Sequence, residues 1–286
     1  MRSLAVPARD AAADLERCAT ATKGERRVAI RARQEDVLGL YDAYLVAGGQ
    51  PGTVAESRDW AEADHFFALF DFLSDRRSLS ALRSGLKDAA GNLCLLCSFR
   101  QVDGLDHHLP RAHHPALSIL PSNLVPACTQ CNGLKGSDCY PDAARQFAHP
   151  YFDAIPRDVP WLVCEPFDRE GVWSPLFNID LSVIADADTR LRAKRQFDHL
   201  QLSEDYHTAA VQYVSGFERS WSTTVETDGV NALLRQLRND IGSLSIKHGA
   251  SYWQAVLHRG LLADARFRNN PMAMLGDPLP LPPEYR

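Results

Sequence analysis

Apolar residues recur at helical spacing over residues 25–47, where Val37, Leu38, Tyr41, Tyr44 and Leu45 share a face and Gly48, Gly49, Pro51 and Gly52 close the segment. A second apolar run, 55–73, sets Trp60, Phe66, Phe67, Phe70 and Leu73 on one broad face. Leu79, Leu82 and Leu86 continue as a third helix to a stop at Gly91-Asn92. These aromatics read as core. From Leu93 to about Tyr140 the texture changes to Cys, His, Asn, Pro and Gly, with apolar runs shortened to 118–120 and 124–127. Beyond it, 161–167 and 172–179 read as two strands joined by a turn at 168–171. Helices then resume near 187–200, 204–225, 229–246 and 252–267, with Tyr213, Phe217 and Trp221 at i, i+4 and i+8 as a buried stripe. The tail, 278–286, holds four prolines and reads as extended or disordered. The pattern is that of an α+β, mostly helical chain: an N-terminal helical region, 1–90; a small ligand-held unit, 91–140; and a mainly helical C-terminal domain with a short hairpin, 141–286.

At 286 residues the chain exceeds what one small core organises. No segment is apolar for long enough to cross a bilayer, and residues 1–10 lack the apolar stretch of a secretory signal, so a cytoplasmic, membrane-free protein is expected. The net charge of -5 argues against a general basic coat; any phosphate contact must come from local patches and a bound cation. Seven cysteines are present, and four form two Cys-x-x-Cys pairs, Cys94 with Cys97 and Cys128 with Cys131. In a reducing compartment this pairing favours metal over disulfides, and four thiolates in two knuckles suit tetrahedral zinc. A closed four-thiolate site has no open coordination position, so this zinc is assigned to folding. A redox role for either pair needs a βαβ context that the pattern does not show. Cys18, Cys139 and Cys164 are left as buried or half-buried thiols.

Between the knuckles stand Asp106-His107-His108-Leu109-Pro110-Arg111 and Asn123-Leu124-Val125-Pro126; Asn132 follows the last cysteine and Lys135 lies three residues on. This ordered set resembles the HNH endonuclease family, in the variant whose final His is replaced by Asn. The resemblance covers about residues 91–136. It implies a zinc-stapled ββα-metal core that hydrolyses the phosphodiester bonds of DNA, RNA not being excluded, with a single catalytic Mg²⁺ or Mn²⁺. It further implies that Asp106 and Asn132 supply oxygen ligands to that cation, that His107 is the general base, and that Asn123 orients His107 or the loop behind it. His108 falls where the family usually has an apolar residue. His113 and His114 are expected in a solvated loop.

Candidate phosphate contacts are Lys135, Arg111 and the basic run Arg190, Arg192, Lys194 and Arg195, with a second run at Lys23, Arg26, Arg27, Arg31 and Arg33. For both runs a solvated helix face is an equal reading. The stretch His149-Pro150-Tyr151-Phe152-Asp153 is similar to one in HNH proteins with helical C-terminal extensions, including nucleases paired with an ATPase in bacterial anti-phage defence. That similarity implies an ATPase or sensor partner docked on the helical flanks. The competing expectation is a zinc-stapled module that binds nucleic acid or protein without cutting.

Overall fold

A computed structural model describes residues 1–137, 139–169 and 172–274. The proline-rich tail and the centre of the 168–171 turn therefore lie outside the described residues. The chain packs as two compact units, one formed by Met1–Asp153 with Leu191–Gln196, the other by Ala154–Arg190 with the chain from Phe197 onward. The three-way division expected from texture is not the one the packing follows. The reason is a shared core: Leu15, Ile30, Val37, Tyr44, Phe66 and Leu69 from the N-terminal helices are buried in one cluster with Leu105, Leu109, Leu117 and Leu124 of the cysteine-rich region.

In the first unit, α1 (Ala11–Ala21), α2 (Gly24–Ala32), α3 (Gln34–Val46), α4 (Ala63–Phe67) and α5 (Ser80–Ala89) precede a hairpin of β1 (Gly104–His107) and β2 (Leu124–Ala127), followed directly by α6 (Thr129–Lys135). Asp10 caps α1 by accepting from the Ala13 amide, a start that the apolar pattern did not mark. The single helix expected over 25–47 is broken at Arg33, which ends α2 and precedes α3. The broad run 55–73 yields only the short α4 and a 3₁₀ turn, Ala68–Leu73. β1 and β2 pair antiparallel, with Asp106 opposite Val125 and His107 opposite Leu124.

The second unit holds β3 (Leu162–Arg169) and β4 (Val172–Ile179), paired antiparallel. Between this hairpin and the C-terminal helices lies α7 (Ala187–His199), whose residues Leu191–Gln196 belong to the first unit. Then come α8 (Leu202–Asp228), α9 (Val230–His248), α10 (Trp253–Ala263), α11 (Ala265–Asn269) and α12 (Pro271–Met274). Asp264 ends α10 and caps α11 by accepting from the Arg266 amide, which splits the helix expected over 252–267. Trp221 is buried, but Phe217 is 41% exposed, so the aromatic stripe on α8 is only partly covered. Gly260 marks the contact of α10 with β3: a Cβ there would stand 2.4 Å from the Cys164 carbonyl oxygen. Backbone cannot yield as a side chain does. Gly260→Ala should destabilise this unit by about 3 kcal/mol, the upper range for overpacking, measured as a lowered denaturation midpoint in urea.

Among the described residues no helix is long and apolar enough to cross a membrane.

Candidate functional site

The two knuckles are built by local turns and then brought together by β1 and β2. In the first, the Cys94 amide donates to the Arg100 carbonyl (2.9 Å), the Ser98 amide to the Cys94 carbonyl (2.8 Å), and the Arg100 amide points at Cys97 Sγ (3.5 Å). In the second, Cys128 caps α6, its Sγ accepting from the Cys131 amide at 3.5 Å. The Leu95 amide donates to the Pro126 carbonyl, which ties the first knuckle to β2. All four sulfurs are buried and lie within 4.8 Å of one another, a group that could hold a metal such as zinc. Hydrogen bonds from Cys128, Cys131 and Cys94 hold the Cys97 thiol well below its ordinary range, as a thiolate ringed by donors. Gln196 braces the cage, donating through Nε2 to the Leu96 carbonyl (2.7 Å) and accepting from the Ala148 amide (3.1 Å). Nothing in its local sequence marks that role.

Along β1 the side chains alternate, and their partners show it. Asp106 meets Lys135 at the end of α6: Nζ lies 3.1 Å from Oδ2 and donates to the His107 carbonyl at 2.8 Å. The next side chain, His107, leaves the other face. Its Nε2 donates to the Ser118 carbonyl (2.9 Å) and its ring centroid lies 4.7 Å from that of Phe70. A carbonyl can only accept, so the proton sits on Nε2 and Nδ1 carries the lone pair. His108 returns to the Asp106 face, its ring 4.0 Å from that of His149. The structure therefore joins Asp106 to Lys135, sets Asn132 one turn before Lys135 on α6, and does not put the His107 ring against the Asp106 carboxylate.

Burial dominates the protonation of this strand. It pushes the Asp106 carboxyl up, against the opposing pull of Lys135, and takes His107 down to about 3, with the charges of Arg111 and Lys135 adding to the effect. Both imidazoles are neutral at pH 7; His108 is lowered well below the usual range by burial and by His149. Asp106 Oδ2 is fully buried, with the Lys135 ammonium 3.1 Å away as its ion-pair partner. A buried carboxylate oxygen is a hard donor of the kind that Mg²⁺ or Mn²⁺ takes.

Asn123 is spent on the loop that carries these residues. Its Oδ1 accepts from the Leu109 amide (2.8 Å) and its Nδ2 donates to the carbonyls of Leu109 (3.1 Å) and Leu117 (3.3 Å). It thus staples the chain after β1 to the chain before β2.

The stretch 149–153 is a structural knot. His149 Nε2 donates to Tyr44 Oη (2.8 Å), which donates on to the Ser122 carbonyl (3.3 Å), while His149 Nδ1 accepts from the Tyr151 amide (3.1 Å). Tyr151 Oη donates to the Leu124 carbonyl at the start of β2 (2.8 Å). Gly49, at φ +69°, covers the knot: a Cβ there would meet His149 Cδ2 and Tyr44 Oη, each at 2.7 Å. Burial lowers His149 to about 3, against 6.5 in an unfolded chain. Protonation would place a second hydrogen on Nδ1, against the Tyr151 amide. A folded pKa below the unfolded one means that the unfolded state takes up the proton first as pH falls. Stability from this group is therefore complete above about pH 6.5 and is lost towards pH 3, by about 2 kcal/mol at pH 5. Denaturant titrations of the wild type and His149→Gln at pH 7.5 and 5 should show that extra acid loss in the wild type alone.

Several expected phosphate contacts are otherwise engaged. Lys135 is 5% exposed and committed to Asp106 and His107. Arg192 is buried in a two-pronged pair with Asp153 (2.9 and 2.6 Å), and Arg190 donates to the carbonyls of Ile184 and Ala185. Lys194 is exposed and Arg195 half-buried, so the run 190–195 does not present one basic face. In the N-terminal run, Arg31 pairs with Glu16 and Arg33 with Asp36 and Glu62. The Arg111 guanidinium lies over the rings of Phe67 (4.0 Å) and Phe70 (4.9 Å) and donates to the Phe67 carbonyl (3.4 Å), with its charge acting on His107. His114 is buried at 1% exposure rather than solvated, and His113 is held by Arg58 (3.0 Å). Of the remaining thiols, Cys18 and Cys164 are buried and Cys139 half-buried.

No family model matches the chain, and no solved structure matches it. The chain is similar to Protein ea31 of Escherichia phage lambda, 26% identical over 188 residues. That stretch covers 60% of this chain and 62% of the phage protein, so the chain spans about three fifths of the relative it matches.

Proposed function

We propose that this chain is a metal-dependent endonuclease of the HNH type, with the four-cysteine group holding a structural zinc and β1, β2 and α6 forming the hydrolytic core. The observation that supports the reading is that β1 carries a buried carboxylate, facing the helix that bears Asn132, next to an imidazole whose tautomer is fixed by Ser118. Asp106 Oδ2 and the Asn132 amide oxygen would hold Mg²⁺ or Mn²⁺. Such a cation would stabilise charge on the phosphate and on the leaving oxygen. His107 closes β1, and its Nδ1 lone pair would accept the proton of the attacking water while Ser118 keeps the ring from turning. Arg111, beside His107 and anchored on two aromatic rings, would meet the phosphate.

A non-cutting, zinc-stapled binding module is favoured by one observation, the ion pair that already neutralises Asp106. Incubating supercoiled plasmid with the chain and Mn²⁺ separates the two. The nuclease reading expects nicked and linear DNA, abolished by EDTA and by Asp106→Asn; intact plasmid retarded on the gel by wild type and Asp106→Asn alike is the binding-module result.

A further inference from the structure

Lys135 was expected to contact phosphate, yet its ammonium lies inside, 3.1 and 3.4 Å from the two Asp106 oxygens and 2.8 Å from the His107 carbonyl. One positive charge thus stands against the oxygen that a divalent cation would take. A divalent cation arriving at this carboxylate would compete with the ammonium, which contacts both oxygens, and would be repelled by its charge. A binding cation must therefore move the ammonium, and the move needs a destination.

The structure offers one. Lys135 lines a small cavity with His108, Tyr140, Arg145, Gln146 and Phe147, and its free volume, about 20 Å³, suits one water or one ammonium group. Gln146 is 6% exposed, and its Nε2 donates to the Tyr140 carbonyl at 2.8 Å. That bond fixes the amide, and Oε1 is left buried with no hydrogen-bond donor. A buried acceptor lacking a donor is costly unless a donor visits it. The neighbouring charge, Arg145, is held over the Tyr140 ring at 3.4 Å. The lysine stem has four flexible carbons and three donors at its tip, so it can turn from one acceptor set to another.

We propose that Lys135 is a displaceable counter-ion. Without a divalent cation its ammonium holds Asp106 in place; when the cation binds, the ammonium swings into the cavity onto Gln146 Oε1. This inference rests on the reading of Asp106 as a metal ligand. Lys135 and Gln146 are then positioning residues that set the metal affinity of the site, and neither touches the reacting atoms.

The test is Mn²⁺ binding to the full chain with its cysteine site loaded, without nucleic acid, read from the electron paramagnetic resonance signal of free Mn²⁺. Lys135→Met is expected to bind Mn²⁺ at least about tenfold more tightly than the wild type, through loss of the competing charge. Gln146→Leu is expected to bind about threefold or more weakly, because the displaced ammonium then has no acceptor. Mn²⁺ binding by Lys135→Met alone, with none by the wild type, also supports the inference. Equal or weaker binding by Lys135→Met, with Asp106→Asn binding abolished, overturns the counter-ion and leaves the metal-ligand reading standing. Undiminished binding by Asp106→Asn, or no binding by wild type and Lys135→Met alike, overturns the metal-ligand reading and the inference with it. Should Lys135→Met not fold, the Gln146→Leu comparison decides, and unchanged affinity there overturns the proposal.

Discussion

Cys97→Ser is expected to strip the metal from the four-cysteine group and unfold the first unit. Cys97 is fully buried and sits among three other sulfurs, with the Arg100 amide as a further donor. Four buried sulfurs at that spacing can bind one cation together as thiolates, and replacing one with a hydroxyl removes a quarter of the ligand set and weakens the hold on the metal. Zinc held by four such ligands contributes roughly 10–16 kcal/mol in small domains, against a net stability of about 5–15 kcal/mol for a whole domain. The loss would spread, because the first knuckle is bonded to β2 through Leu95 and to Gln196 through Leu96. Elemental analysis should find about one zinc per chain in the wild type and a small fraction of that in the variant. Calorimetry should show the melting transition of that unit lost. A variant that melts like the wild type without zinc would mean that burial alone holds the cage.

His107→Ala is expected to lower the rate of plasmid cleavage by roughly 10²–10⁴-fold, the usual contribution of a general base. Its structural cost is smaller. The imidazole supplies one hydrogen bond to Ser118 and one aromatic contact with Phe70, which together place the loss at about 1–3 kcal/mol. Zinc content and a cooperative melt should therefore survive. His108→Ala is the matched control, since that ring packs on His149. It should lose stability while keeping most of its cleavage rate. If the rates fell the other way round, the base would be His108, and His107 would be only a loop anchor.

The cysteine cage was legible in the chain because a metal knuckle is a local object: two residues apart in a tight turn, repeated once. The β1, β2 and α6 elements were legible in outline from the short apolar runs and the family resemblance. The breaks at Arg33 and Asp264 were not, since the apolar rhythm runs on across both and only the capping geometry interrupts it. The shared core of the N-terminal helices and the hairpin was also hidden, because a change of composition at residue 91 looks like a boundary whether or not side chains pack across it.

The sequence by itself determined the four sulfur donors and a mostly helical surround. Each depends on neighbours a few residues away, or on residue types that few other roles demand. Only the tertiary structure decided where the charges stand. Lys135 and Arg192, which read as candidate phosphate contacts, are buried partners of Asp106 and Asp153, and the His149 imidazole is the centre of a hydrogen-bonded chain from Tyr151 to Ser122. The physical reason is that a charge is held inside only by a partner of opposite sign, and that partner can come from anywhere in the chain.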